Sequence, residues 1–266
     1  MNKKKRLKRK FKIFTNVFLA VGVIFFIAIL YNLYSAKKIK KEEFEASIKI
    51  IDSLKNKDIN KIENEINDFD NKKKLNKRLD DIVNDLGKDK NNKEFFKDYI
   101  FMGDSITEAM KSYGIIPEYR ILAYKGENVI AAQKREVPKL YNIKAKKIIV
   151  FYGMNDLQNF DKVEDFIEKY RVLIREVKEK SKGAEVIVEK ILPIEDFASN
   201  KDIRLKEDRV ILFNENIEKL CKEEGVKSID GSFILKNKGD LYEPDGIHPK
   251  MEFYNYWLAY IKETIN

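Results

Sequence analysis

The chain has 266 residues, enough for one large domain or a medium domain with appendages. Its formal charge is +9, yet eight of its 53 basic residues (Lys3, Lys4, Lys5, Arg6, Lys8, Arg9, Lys10 and Lys12) lie within residues 1–12, where there is no acid. The rest holds 45 basic against 44 acidic residues, a nearly neutral body with no basic face that demands nucleic acid.

In chain order, residues 1–12 read as a cytoplasmic basic tail. Residues 13–36 follow, 24 positions without a formal charge, mostly Phe, Val, Ile, Leu and Ala. As helix, about 20 of them would span a ~30 Å hydrocarbon core. A cleaved signal peptide would have a shorter apolar stretch and a small residue where Tyr34 stands. The expectation is an uncleaved transmembrane anchor. Its larger positive cluster would stay cytoplasmic, giving a single-pass cell-membrane protein whose C-terminal body is extracytoplasmic.

Residues 37–96 are rich in Lys, Asp, Glu and Asn, and residues 37–95 hold no proline and one glycine, Gly87. Apolar residues recur at Ile59, Ile62, Ile66 and Phe69, then at Leu75, Leu79, Ile82 and Leu86. These spacings predict amphipathic helices broken near Asp70-Asn71-Lys72, that is, a helical stalk or linker. Stalk-mediated self-association as a coiled coil is the alternative, with a register of about two heptads per segment against the usual three or four.

From about Lys97 short apolar runs alternate with longer helical patterns. Strands are expected at 99–102, 121–124, 147–152, 185–191 and 226–229, and helices at 128–141, 163–180, 206–224 and 253–264. This alternation predicts an α/β fold for residues 97–266, a five-stranded parallel sheet covered by helices on both faces. Ligands of such sheets bind at the carboxyl ends of the strands. Ser105, Gly126 and Asn155 follow the first three strands, and His248, the single histidine, precedes the last helix. The lone cysteine, Cys221, falls among Leu212, Ile217 and Leu220 at helical spacing and is expected in a core. It can form no internal disulfide.

Four motifs occur in order: Gly103-Asp104-Ser105, Gly126, Gly153-Met154-Asn155-Asp156, and Asp245-x-x-His248. Together they resemble the blocks of the SGNH/GDSL hydrolase family over about residues 97–266. Any one alone is weak, but four in order at strand ends are specific. The resemblance implies a flavodoxin-like three-layer α/β/α domain and a Ser-His-Asp triad of Ser105, His248 and Asp245. It also implies an oxyanion hole of the Ser105 and Gly126 backbone N–H groups with the Asn155 side-chain amide.

These roles suit the residue types. A serine hydroxyl is a poor nucleophile until a base takes its proton, and His248 is the one imidazole available. At a helix start the serine gains from the positive end of the helix as charge develops. Asp245, three residues before the imidazole, can hold its tautomer, and this spacing favours it over the rivals Asp240 and Glu243. Glycine at 126 lets a backbone donor approach substrate unhindered, and an uncharged amide at 155 can donate as a carboxylate could not. Simpler explanations exist for each: Ser105-Ile106-Thr107-Glu108 fits a capping box, and the glycines fit ordinary turns. Asp104 and Asp156 read as loop supports. The chain departs from the family in two places: Ile106 follows the serine where the namesake motif has Leu, and Lys125 precedes Gly126 where the family has asparagine.

No cofactor or metal is expected. One His and one Cys cannot build a zinc site, and Asp68-Phe69-Asp70-Asn71 lacks the glycine and glutamate of a calcium loop. The expected activity is serine ester hydrolysis through an acyl-enzyme, on small acyl groups such as acetyl carried by envelope glycans or small molecules. Two alternatives are an acyltransferase using the same site on a cell-envelope polymer, and an inactive binding or scaffold module.

Overall fold

A computed structural model describes residues 59–86, 92–237 and 239–265, together with the isolated positions 38, 41, 45 and 48. The chain divides into two units, residues 1–69 and 70–266. In the first, Lys41 and Glu45 form an exposed ion pair one helical turn apart, and Ile66 and Phe69 are exposed.

In the second unit five strands form one all-parallel sheet: β1 (Tyr99–Gly103), β2 (Ile121–Ala123), β3 (Lys147–Phe151), β4 (Glu185–Glu189) and β5 (Lys227–Ile229). Their order is β2-β1-β3-β4-β5, the flavodoxin-like doubly wound order. The strands are buried on both faces, as parallel strands flanked by helices must be, which is why they read as apolar runs instead of alternating patterns. Helix α1 (Ile59–Leu86) precedes the sheet. After β1 come α2 (Ser105–Tyr113), α3 (Val129–Arg135), α4 (Val163–Lys180), the short α5 (Asp196–Ser199), α6 (Glu207–Glu224), α7 (Ser232–Asn237) and α8 (Met251–Thr264). Helices α3, α4 and α6 pack together as one layer, and α2, α7 and α8 form the other. Trp257 of α8 joins the aromatic core beside Phe101 and Phe151, and Cys221 is buried as expected.

Several expectations need correction. Helix α1 is not broken at Asp70-Asn71-Lys72; without glycine or proline nothing there interrupts the i to i−4 bonds. Its second half is no free stalk, because Leu79 is fully buried in the hydrophobic core and Leu75 packs against it. Arg78 pairs with Glu263 of α8 at 2.9 Å. The helix expected at 128–141 stops at Arg135 and continues as a 3₁₀ segment, since Pro138 supplies no N–H. The membrane localisation is also overturned: among the described residues no helix is long and apolar enough to cross a membrane. The span expected at 13–36 itself lies outside the described residues.

Candidate active site

Strand β1 ends at Gly103, wedged between neighbours: a Cβ there would stand 2.0 Å from Thr107 Oγ1 and 2.7 Å from the Phe151 carbonyl. The absent side chain lets α2 begin directly against the sheet. The N-cap of α2 is Asp104, not Ser105; its carboxylate accepts the Ile106 N–H at 3.0 Å. The capping-box explanation of Ser105 therefore fails, because Asp104 already caps the helix with its backbone extended. Ser105 opens the helix with its hydroxyl partly exposed.

Ser105 Oγ lies 2.9 Å from His248 Nε2, although 143 residues separate them. His248 Nδ1 lies 2.6 Å from Asp245 Oδ2. A neutral imidazole with its proton on Nδ1 donates to Asp245 and accepts from Ser105, so one tautomer satisfies both contacts. The other carboxylate oxygen, Asp245 Oδ1, accepts the N–H groups of Ile247 at 2.8 Å and His248 at 2.9 Å. Burial would push this carboxyl up, but those N–H bonds and the imidazole outweigh it and hold the group below the usual aspartate range.

The loop carrying this pair is fixed at several points. Glu243 N–H donates to the His248 carbonyl at 2.7 Å, and Tyr242 and Pro249 form an isolated bridge. Gly246 takes a positive φ of 71°, and its carbonyl accepts the Glu195 N–H at 2.9 Å. Asp240 and Glu243, the sequence rivals, engage through their backbones: the Asp240 carbonyl accepts from Lys250 Nζ. Tyr254 of α8 donates to the Ile106 carbonyl at 2.7 Å, tying the helix after His248 to the helix bearing Ser105. Nothing in the sequence pattern singled out Tyr254.

Gly126 adopts φ 76° in an exposed turn closed by the Glu127 N–H donating to the Tyr124 carbonyl at 3.1 Å. This positive φ is where glycine is needed, and the turn forms with Lys125 in place of the family's asparagine. Asn155 stands in the loop after β3, as the N-cap of the short helical turn Asp156–Asn159, and its Nδ2 donates both to Asp104 Oδ2 at 3.2 Å and to the Glu127 carbonyl at 3.0 Å. The amide thus bridges the Gly103-Asp104-Ser105 segment and the Gly126 turn, with both its N–H groups engaged. Asp156 Oδ1 accepts the Val129 N–H at 3.1 Å and so supports the loop before α3, as expected. Burial raises the carboxyls around this bridge: Asp104 to about 6, Asp156 to about 7 and Glu127 to about 7. Among the described residues no cluster of His, Cys, Asp and Glu could hold a metal ion.

A doubly wound parallel sheet with a Ser–His–Asp chain at its carboxyl edge defines a class of α/β serine hydrolases. The model of the GDSL-like lipase/acylhydrolase family matches residues 101–255, more than half of the chain. The chain belongs to that family and is a serine ester hydrolase.

Solved structures with the same fold include a GDSL-like lipase from Bacteroides thetaiotaomicron, 21% identical, with a TM-score of 0.52 and covering 63% of this chain and 86% of that one. A Bacteroides fragilis protein provisionally described as an acylhydrolase is 18% identical, with a TM-score of 0.51 over 63% of this chain and 86% of its own. A Streptococcus pneumonia protein provisionally described as a platelet activating factor is 17% identical, with a TM-score of 0.54 over 79% of this chain and all of its own. At these identities the likeness is one of fold. No curated protein matches the chain.

Proposed function

We propose that Ser105 is the nucleophile, His248 the general base and Asp245 the residue that orients it, in an esterase that works through an acyl-enzyme. The observation that carries this reading is the unbroken chain of contacts from Ser105 Oγ through the imidazole to Asp245, at 2.9 and 2.6 Å. His248 Nε2 takes the hydroxyl proton as Ser105 Oγ attacks the ester carbonyl. The tetrahedral oxyanion is met by the N–H groups of Ser105 and Gly126 and by the Asn155 amide. The imidazolium then protonates the departing alcohol, and the same base activates water to release the acid.

The side chains of His248 and Asp245 are 38% and 48% exposed, so this end of the site opens to solvent, where a polar alcohol could stay hydrated. This openness supports esters of small acyl groups, such as acetyl, on a glycan or small alcohol. Ser105→Ala and His248→Ala should each lower kcat/KM on p-nitrophenyl acetate by about 10³-fold or more. A fluorophosphonate should label the wild type at Ser105 and leave Ser105→Ala unlabelled. Full activity in Ser105→Ala would remove the mechanism. Product analysis with a sugar acceptor present should give free acid; acyl-sugar as the main product would make the protein a transferase.

A further inference from the structure

The Gly126 turn has little of its own to hold it. Gly126 is exposed, and a side chain built there would touch nothing within 4 Å. Its neighbour Glu127 is the opposite, a side chain fully buried one residue from a backbone donor. Glu127 Oε2 accepts from the Tyr152 hydroxyl at 3.3 Å, and Tyr152 directly follows β3 and is buried. Arg135 of α3 reaches back over the turn, its guanidinium 3.9 Å from the centre of the Tyr124 ring and 3.8 Å from Glu127 Oε1. No hydrogen bond reaches that buried Oε1, so the carboxyl is committed to this place without being fully satisfied by it. Burying such a group costs free energy, and a surface glutamate would avoid the cost. The backbone of Glu127 meanwhile closes the turn through its N–H and receives the Asn155 amide on its carbonyl.

We propose that Glu127 is the positioning residue of the oxyanion site: its side chain, clamped between Tyr152 and Arg135, fixes the one segment that presents the Gly126 N–H and orients the Asn155 amide. This rests on the reading of Gly126 and Asn155 as oxyanion donors. A buried negative charge this close would oppose an oxyanion, so the neutral carboxyl is the productive form. The groups facing it are Glu136, Arg135 and Lys139 from the α3 side and Tyr152 just after β3, with Asp104 beyond the Asn155 amide and Asp156 against Val129. Burial and Glu136 raise the Glu127 carboxyl to about 7, against the lowering influence of Tyr152, Arg135 and Lys139. Ionisation of Glu127 should therefore lower kcat as pH rises through that value.

The test uses the full 266-residue chain, p-nitrophenyl acetate, and active sites counted with a fluorophosphonate. Glu127→Ala should lower kcat per titrated site by about 10–100-fold, with KM within about threefold. Glu127→Gln, which keeps the shape and can still accept from Tyr152, should recover to within about threefold of wild type at pH 6 and lose the decline near pH 7. Tyr152→Phe, which removes the hydroxyl alone, should show a smaller fall of about 3–10-fold in kcat. It decides the matter if Glu127→Ala does not fold. An unchanged kcat per site in Glu127→Ala, no recovery in Glu127→Gln, or an unchanged Tyr152→Phe would each overturn the proposal. Absence of labelling at Ser105 in the wild type would instead remove the catalytic reading beneath it.

Discussion

Leu79 lies in a segment whose composition reads as a linker, yet its side chain is fully buried among the core residues of the hydrolase unit. Leu79→Ala deletes three carbon groups, worth about 2.4 kcal/mol at about 0.8 each. The cavity left behind adds to this, and buried leucine truncations cost about 2–5 kcal/mol in all. The ion pair next to it, Arg78 with Glu263, has side chains 67% and 30% exposed and contributes under about 1 kcal/mol. The apolar contact therefore dominates the docking of this half of α1. For a unit of this size each kcal/mol moves Tm by about 2–4 °C, so Leu79→Ala should melt about 5–15 °C below wild type. Phe69→Ala is the control, since that ring is 65% exposed and its loss should shift Tm by under about 2 °C. Thermal unfolding followed by circular dichroism on the full chain reads both. If Leu79→Ala melts with the wild type, or no lower than Phe69→Ala, residues 70–86 are a tether and the docking argument is wrong.

Asn155→Ala should reduce kcat by about 10²–10³-fold with a smaller change in KM, measured by steady-state ester hydrolysis, if its amide serves the oxyanion. Gly103→Ala pushes a methyl into Thr107 and the Phe151 carbonyl, where the backbone cannot yield, and should cost about 1–3 kcal/mol or more of stability by urea unfolding. A variant as stable as wild type would mean the β1–α2 junction is looser than its 2.0 Å approach implies. The Asp156 carboxyl, raised by burial from its ordinary range to about 7, gives stability that is fully present below about pH 4. That contribution is lost as pH rises through about 7. Asp156→Asn should therefore flatten the fall in Tm between pH 5 and pH 8 relative to wild type, and parallel curves would contradict the assignment.

The sheet was readable because parallel strands covered on both faces must be apolar throughout, and runs such as Ile148-Ile149-Val150 have few other uses. The contacts among Ser105, His248 and Asp245 could be anticipated because a lone histidine three positions after an aspartate leaves few pairings to consider. Other features depend on contacts that no local pattern encodes. Leu75 and Leu79 announced an apolar face, but not that the core would cover it. The capping-box pattern pointed to Ser105, whereas the extended backbone at the end of β1 makes Asp104 the cap of α2. Glu127 was not singled out by any motif, and only Tyr152 after β3 and Arg135 of α3 reveal it as buried. The apolar stretch before residue 37 suggested a membrane span that nothing in the described residues sustains.

The two bonds that hold Asn155 are unequal, and the difference bears on how an oxyanion would be received. One N–H goes to Asp104, a carboxylate that also caps the helix of Ser105; the other goes to the neutral Glu127 carbonyl. Bonds to an ionised acceptor are roughly twice as strong as neutral ones, so the N–H on the Glu127 carbonyl is the cheaper to share. A developing oxyanion is itself a charged acceptor and outcompetes a peptide carbonyl for that proton. In the proposed reaction the Asp104 bond would keep the amide plane fixed, and the other N–H would be shared between the Glu127 carbonyl and the oxyanion.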